Sequence, residues 1–343
     1  MDRRQFLKGA STLGSAALFA PSLLRAVDSG KTSPGFARVA FVKTTDRAAG
    51  VNRAIDLLGV EAFHGKDLFV KPNFNSADSP PGSTHLDTLV SLLRKLKSLG
   101  AGPLTIADRS GMGDTRKVME TKQAFQLGKE LPAKVVVLDE LTADDWEPIH
   151  QPGSHWQQGF AVPRLLRNSA GIVQTCCLKT HRYGGHFTLS LKNSVGLAAK
   201  YIPGQPYNYM RELHSSPHQR RMIAEINAAY RPDLIVLDGV EAFVNGGPDQ
   251  GKLVNASVIL AGTDRVAVDA VGVALLRHFG TTPEVSQGAI FDQEQIARAV
   301  QLKIGVAGPA QIQLVTGDRE SAEYAKPIRA LLDGVPTARS QDS

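Results

Sequence analysis

Cysteine is nearly absent from this 343-residue chain: there are two, Cys176 and Cys177, and they are neighbours. Adjacent cysteines cannot staple distant loops, and a ring closed between them would be strained, so no disulfide framework is encoded. Two thiols also fall short of the four that hold an iron–sulfur cluster. Lying in an apolar run, they read as small buried strand residues. Aromatic residues make up only 6% of the chain. No run of Lys and Arg interleaves with them, which excludes a nucleic-acid-binding surface. Repeats and low-complexity tracts are missing as well.

Strongly apolar segments of spanning length are also lacking. The stretch from Gly9 to Ala20 is rich in Ala, Gly and Ser, whereas a spanning helix takes about 20 strongly apolar residues. What precedes it explains it. Asp2-Arg3-Arg4-Gln5-Phe6-Leu7-Lys8 sets an arginine pair before a hydrophobic residue and a lysine, the pattern that commits a chain to the twin-arginine translocation machinery. Residues 9–20 are then the apolar core of a signal, stopped by Pro21. The expectation is a periplasmic or exported protein, with a signal over 1–30 and one α/β domain over 31–343. An uncleaved signal would serve instead as a membrane anchor, the sole membrane contact expected. The formal charge of +6 is partly the signal's: residues 1–26 hold Arg3, Arg4, Lys8 and Arg25 against Asp2, so removing them takes away +3 and leaves +3.

Short runs of Val, Ile and Leu alternate with longer periodic segments, as strands do with crossover helices. Strands are expected at 38–43, 67–72, 103–108, 134–139, 171–178, 233–238, 256–262 and 311–316. Helices are expected at 46–58, 84–99, 115–129, 217–230, 264–278, 291–302 and 320–333. The fold class is therefore α/β, a Rossmann-like architecture with a mostly parallel sheet flanked by helices. Two stretches resist the scheme, 141–168 and 200–217, and loops of that length in a compact domain often carry function.

Ligands of such sheets gather at the carboxyl ends of the strands. Those ends read Lys71-Pro72-Asn73, Asp108-Arg109-Ser110-Gly111, Lys179-Thr180-His181 and Asp238-Gly239. A dense polar segment, 178–196, adds Arg182, His186, Lys192 and Asn193 beside glycines. Lysines and free backbone N–H groups suit a small anionic ligand, carboxylate or phosphate. In this reading Lys179 and Lys192 stabilise negative charge, His181 is an acid, base or ligand, and Asp238 orients it. Lys71, Asn73, Asp108, Asn193 and Gly247 line the ligand site. A divalent metal is the candidate cofactor, with His181, His186, His214 and Asp238 as its ligands. Gly111-Met112-Gly113 follows a strand as a phosphate-binding turn does, but the full glycine fingerprint is missing.

In order along the chain stand Val70-Lys71-Pro72-Asn73, Leu178-Lys179-Thr180-His181, Thr188-Leu189-Ser190-Leu191-Lys192-Asn193 with Gly196, Asp238-Gly239, Gly247-Pro248 with Gly251, and Gly262-Thr263-Asp264-Arg265-Val266-Ala267-Val268-Asp269-Ala270. This ordered set resembles domain-of-unknown-function family 362 over roughly 65–280. His214 falls where that family commonly has a histidine, while Cys176-Cys177 replaces an Ile-Pro-like pair. Some members carry an added ferredoxin-like domain; this chain lacks its cysteines. The resemblance implies the fold and a shared site rather than a reaction.

Two functions fit these readings. One is an envelope enzyme acting on a small anionic substrate with a bound metal or cofactor. The other is a non-catalytic metal- or anion-binding protein or maturation factor. No nucleophile elbow, Ser-His-Asp order or Walker sequence narrows the chemistry.

Overall fold

The computed structural model describes residues 35–335 apart from residue 61; the signal expected over 1–30 lies outside the described residues. Residues 36–335 form one compact unit. Its strands are β1 (Ala37–Lys43), β2 (Leu68–Lys71), β3 (Leu104–Asp108), β4 (Ala133–Val137), β5 (Trp146–Ile149), β6 (Phe160–Pro163), β7 (Gly171–His181), β8 (His186–Thr188), β9 (Leu234–Gly246), β10 (Gly251–Val254), β11 (Val258–Gly262) and β12 (Ile312–Val315). Its helices are α1 (Arg47–Leu58), α2 (Leu86–Ser98), α3 (Thr115–Thr121), α4 (Ala124–Glu130), α5 (Arg164–Asn168), α6 (Ser190–Asn193), α7 (Tyr209–Ser215), α8 (Gln219–Ile226), α9 (Arg265–His278), α10 (Pro283–Ser286), α11 (Glu294–Gln301) and α12 (Arg319–Leu332).

The main sheet runs in the order β12-β1-β11-β9-β7-β2-β3-β4, with β8 added to β7 and β10 to β9. Five of the seven pairings along that path are parallel; β11 runs antiparallel to both β1 and β9. The fold is thus Rossmann-like mixed α/β, with helices on both faces. Strand alternation builds the two faces. Val39, Phe41, Val258 and Leu260 pack with α9 and α12 residues such as Val271 and Ile328. The intervening Ala40, Val42, Ile259 and Ala261 pack with Ile55 of α1 and Leu92 and Leu96 of α2. Each buried Leu or Ile contributes about 1.5–3 kcal/mol relative to exposure.

Four elements differ from expectation. The helix expected at 115–129 breaks at Gln123, which has a φ of 58°, outside the helical region. The helix expected at 217–230 ends as α-helix at Ile226 and finishes in a 3₁₀ turn, Asn227–Ala229. Within 141–168, β5 and β6 form a separate antiparallel pair that buries Trp146 and Phe160. Within 200–217, Asn208 caps α7 through the Arg211 N–H.

The expected strand at 233–238 also runs on. Asp238-Gly239 reads as a strand end, yet β9 continues to Gly246. Its register against β7 jumps from Cys177↔Asp238 to Leu178↔Ala242, so Gly239, Val240 and Glu241 form a bulge that re-aims the strand. Beyond it, β7 and β9 carry β8 and β10, and β7, β8 and the turn from β9 to β10 build one wall of the cleft described next.

Candidate functional site

One cleft collects residues from five places in the chain. Lys71 ends β2, and Asn73, Phe74 and Asn75 follow it; Asp108 ends β3, followed by Arg109 and Gly111. Lys179 and His181, two apart on β7, share a face, and with Thr188, Lys192, Asn193, Val195, Gly196 and Pro248 they complete the lining. Its interior space is about 40 Å³, room for about three or four waters. Of the residues expected at the site, Lys71, Asn73, Asp108, Lys179, His181, Lys192 and Asn193 all line this cleft. Gly247 adjoins it: at φ +64° its hypothetical Cβ would sit 2.0 Å from the Thr180 carbonyl oxygen, so only glycine fits there.

The cleft holds an unusual concentration of buried positive charge. Lys71 Nζ stands 2.6 Å from Asp108 Oδ1 and donates to the Pro72 carbonyl at 2.7 Å and to Asn193 Oδ1 at 3.1 Å. Asp108 also accepts the Phe74 and Arg109 N–H groups, each at 2.7 Å. Burial pushes the Lys71 ammonium down and the Asp108 carboxyl up, and their mutual contact opposes both shifts. Gly196 makes the pair sterically feasible, since a Cβ there would lie 2.7 Å from Asp108 Oδ1 and 2.8 Å from Lys71 Nζ.

Lys179 is fully buried and meets only neutral oxygens: the carbonyls of Gly82 at 2.5 Å and Pro248 at 3.1 Å, and Asn73 Oδ1 at 3.4 Å. Burial lowers its pKa to about 8. Arg109 directs its donors to the carbonyls of Ala198, Ser110 and Val195, which fixes the backbone after α6. Lys192 has neither kind of partner among the described residues. Burial first, then Lys179 and Arg109, bring its pKa to about 7. Beside it, His181 is buried, its Nδ1 has no hydrogen-bond partner among the described residues, and burial with Lys192 and Lys179 holds it well below the usual histidine range. Gly185 makes room for both, because a Cβ there would be 2.7 Å from Lys192 Cε and 2.9 Å from His181 Nδ1.

The proposed metal set does not assemble. Asp238 is turned to the helix layer, where Oδ2 accepts from Arg47 Nε at 2.9 Å and Thr88 Oγ1 at 2.6 Å. That engagement follows from the bulge, which leaves Asp238 inside β9 rather than at its end, so it does not orient His181. His186 has a φ of 62° and its charged neighbours are Arg220, Glu284 and Glu294. His214 ties Nδ1 to the Met210 carbonyl at 2.7 Å. Among the described residues no group of three or more His, Cys, Asp or Glu side chains is placed to hold a metal ion, and the lysines of the cleft would repel one.

The helix that presents Lys192 and Asn193 is held from behind. Asp269 of α9 accepts the Ser190 N–H at 2.8 Å, the Ser190 hydroxyl at 2.6 Å and the Leu191 N–H at 3.0 Å. Burial raises the Asp269 pKa to about 7 despite those donors. Arg265, four residues earlier, donates to Asn227 Oδ1, the Asn227 carbonyl and the Tyr230 carbonyl, and its guanidinium lies 4.6 Å from the centre of the Tyr230 ring. Asp264 caps α9 through the Ala267 N–H. The Asp-Arg-x-x-x-Asp stretch is therefore scaffold for the cleft, not lining.

A family model described as "Domain of unknown function (DUF362)" matches residues 68–274. The chain belongs to this family. The DUF362 span opens at β2 and closes inside α9, so it contains the whole lining and the Asp269 support. Among solved structures, the lactate racemase apoprotein from Thermoanaerobacterium thermosaccharolyticum is similar with a TM-score of 0.42 and 17% identity. The alignment covers 71% of this chain and 57% of that one. No curated protein matches the chain.

Asn75 is a lining residue that the sequence did not single out, while Arg109 stood at the expected end of β3 and Gly185 among the glycines of 178–196 without a role of their own. Asn75 follows Asn73 by two positions in the same loop, and that spacing was the available signal. The glycines of 178–196 were visible in the sequence, but the specific need for Gly185 arises from Lys192 and His181 packing against it.

Proposed function

We propose that this DUF362 protein is an envelope enzyme, exported by the twin-arginine route, that binds a small anionic substrate in the lysine cleft and moves a proton at Lys192. The observation that carries this reading is Lys192 itself: buried, without an acceptor among the described residues, and with a pKa of about 7. A buried unpaired ammonium is costly, and a bound anion would offset that cost. A pKa near neutrality also lets one amine both accept and donate protons at physiological pH. His181, held neutral, and Lys179, held by carbonyls, supply a hydrogen-bonding imidazole and a positioned positive charge.

Export rests on Arg3-Arg4 and the short apolar segment after them. Among the described residues no helix is long and apolar enough to cross a membrane.

Native mass spectrometry of the protein recovered from the periplasm tests the reading. The expected result is a bound small anion that is lost in a folded Lys192→Met variant. An anion retained in that variant, or none in either protein at saturating extract concentration, would overturn it. Retention of an unaltered anion over many hours would favour a binding protein over an enzyme.

A further inference from the structure

Resting on the anion-binding reading, we infer that the ligand presents two negative charges on one compact group, a phosphoryl-type tetrahedral oxyanion, rather than a single carboxylate. Four cationic side chains line the cleft, Lys71, Arg109, Lys179 and Lys192, against one carboxylate, Asp108. Asp108 is matched to Lys71 at 2.6 Å. Arg109 is saturated by carbonyls that it also positions. Two ammonium groups remain without an anionic contact, Lys179 and Lys192. Asp78 and Asp249 reach Lys179 only through their field, and no carboxylate acts on Lys192.

A monoanion would compensate one of these charges and leave the other to be carried by neutral oxygens or lost as a proton. A dianion compensates both. The interior space of about 40 Å³ accommodates one group of a few heavy atoms, and the two ammonium groups are close enough for Lys179 to act on Lys192, so one compact group can meet both. Hydrogen bonding points the same way. Two buried nitrogens of lining residues, Asn75 Nδ2 and His181 Nδ1, have no partner among the described residues. Lys192 and Asn75 Nδ2 supply free donors, and His181 supplies another in the tautomer protonated at Nδ1, while Lys179, its donors held by three oxygens, contributes charge; that set suits the several acceptor oxygens of a phosphoryl group.

Calorimetric titration of the mature chain at pH 7 with sulfate, inorganic phosphate, malonate, formate and acetate tests the inference. Sulfate and phosphate are expected to bind more tightly than formate and acetate by about 10-fold or more, and Lys192→Met is expected to reduce that preference toward unity. The series on the unmodified protein is decisive even if the variant fails to fold. Formate or acetate binding as tightly as sulfate would overturn the double charge, and malonate binding more tightly than sulfate and phosphate would overturn the single compact group; both results leave the anion cleft standing. Failure of every anion to bind would overturn the cleft reading along with this one.

Discussion

Asp269 and Ser190 are 79 residues apart, yet one carboxylate oxygen of Asp269 takes both the backbone N–H and the hydroxyl of Ser190. Its other oxygen takes the Leu191 N–H at 3.0 Å. The turn that carries Lys192 and Asn193 is therefore anchored to α9 rather than by its own short helix. Asp269→Ala leaves two buried N–H groups without an acceptor and the Ser190 hydroxyl with only the Arg265 carbonyl at 3.3 Å, and is expected to cost about 2–4 kcal/mol. Urea denaturation measures the loss, and an unchanged midpoint would show that the turn holds itself.

Gly196 packs against the Lys71–Asp108 pair with no room for a side chain. Gly196→Ala would place a methyl group within 3 Å of both charged atoms, forcing the pair or the loop to shift. The expected cost is about 2–4 kcal/mol, from overpacking and from disturbance of a buried ion pair. Thermal unfolding of the variant checks it, and a melting temperature equal to that of the parent would contradict the close approach.

Lys192 should make the empty protein less stable in acid. Its folded-state pKa, about 7, is below the ordinary 10.5. The unfolded chain therefore holds the proton more tightly, and stability rises as pH climbs from about 7 to about 10.5. Lys192→Met removes this dependence. Below pH 7 the variant is expected to be more stable than its parent by on the order of 1–3 kcal/mol, with the gap closing toward pH 10.5. Denaturation in phosphate- and sulfate-free buffers across that range decides it, and a variant less stable at pH 6 would contradict the assignment.

The two cysteines should be inert. Both are buried, and burial raises Cys177 to about 11 and holds Cys176 well above the usual thiol range. Thiol reagents at neutral pH are expected to label them only on unfolding. Replacing both with Ala should cost about 1–3 kcal/mol while leaving anion binding intact. Rapid labelling of native protein would show that the thiols are accessible.

Export is tested by Arg3→Lys with Arg4→Lys. Lysine lacks the planar guanidinium donors, so the precursor is expected to remain in the cytoplasm on fractionation. Undiminished periplasmic yield would refute the assignment.

Much of the fold was legible because hydrophobic period speaks directly of strands and helices. All eight expected strands occupy main-sheet positions, since each is an apolar run bounded by turn residues. Less legible was whatever depends on contacts distant in sequence. Asp238-Gly239 carries the local marks of a strand end, but pairing with β7 and β11 on either side extends β9 through it. Asp238 consequently pairs with Arg47, 191 residues away, and the acid expected beside His181 is elsewhere. The lysines were legible for the opposite reason: polar residues directly after buried strands have few places to go except the sheet's carboxyl edge.

The most direct test of the lysine cleft is calorimetric titration with sulfate at pH 6 and at pH 9, on the parent and on Lys192→Met. Sulfate keeps its charge over this range, so any change reports the protein. Proton loss from Lys192 near pH 7 and Lys179 near pH 8 should weaken binding to the parent by about 10-fold or more. The variant should bind more weakly at pH 6 and change less with pH. Sulfate affinity that is equal at both pH values and unaltered by the substitution would contradict the account.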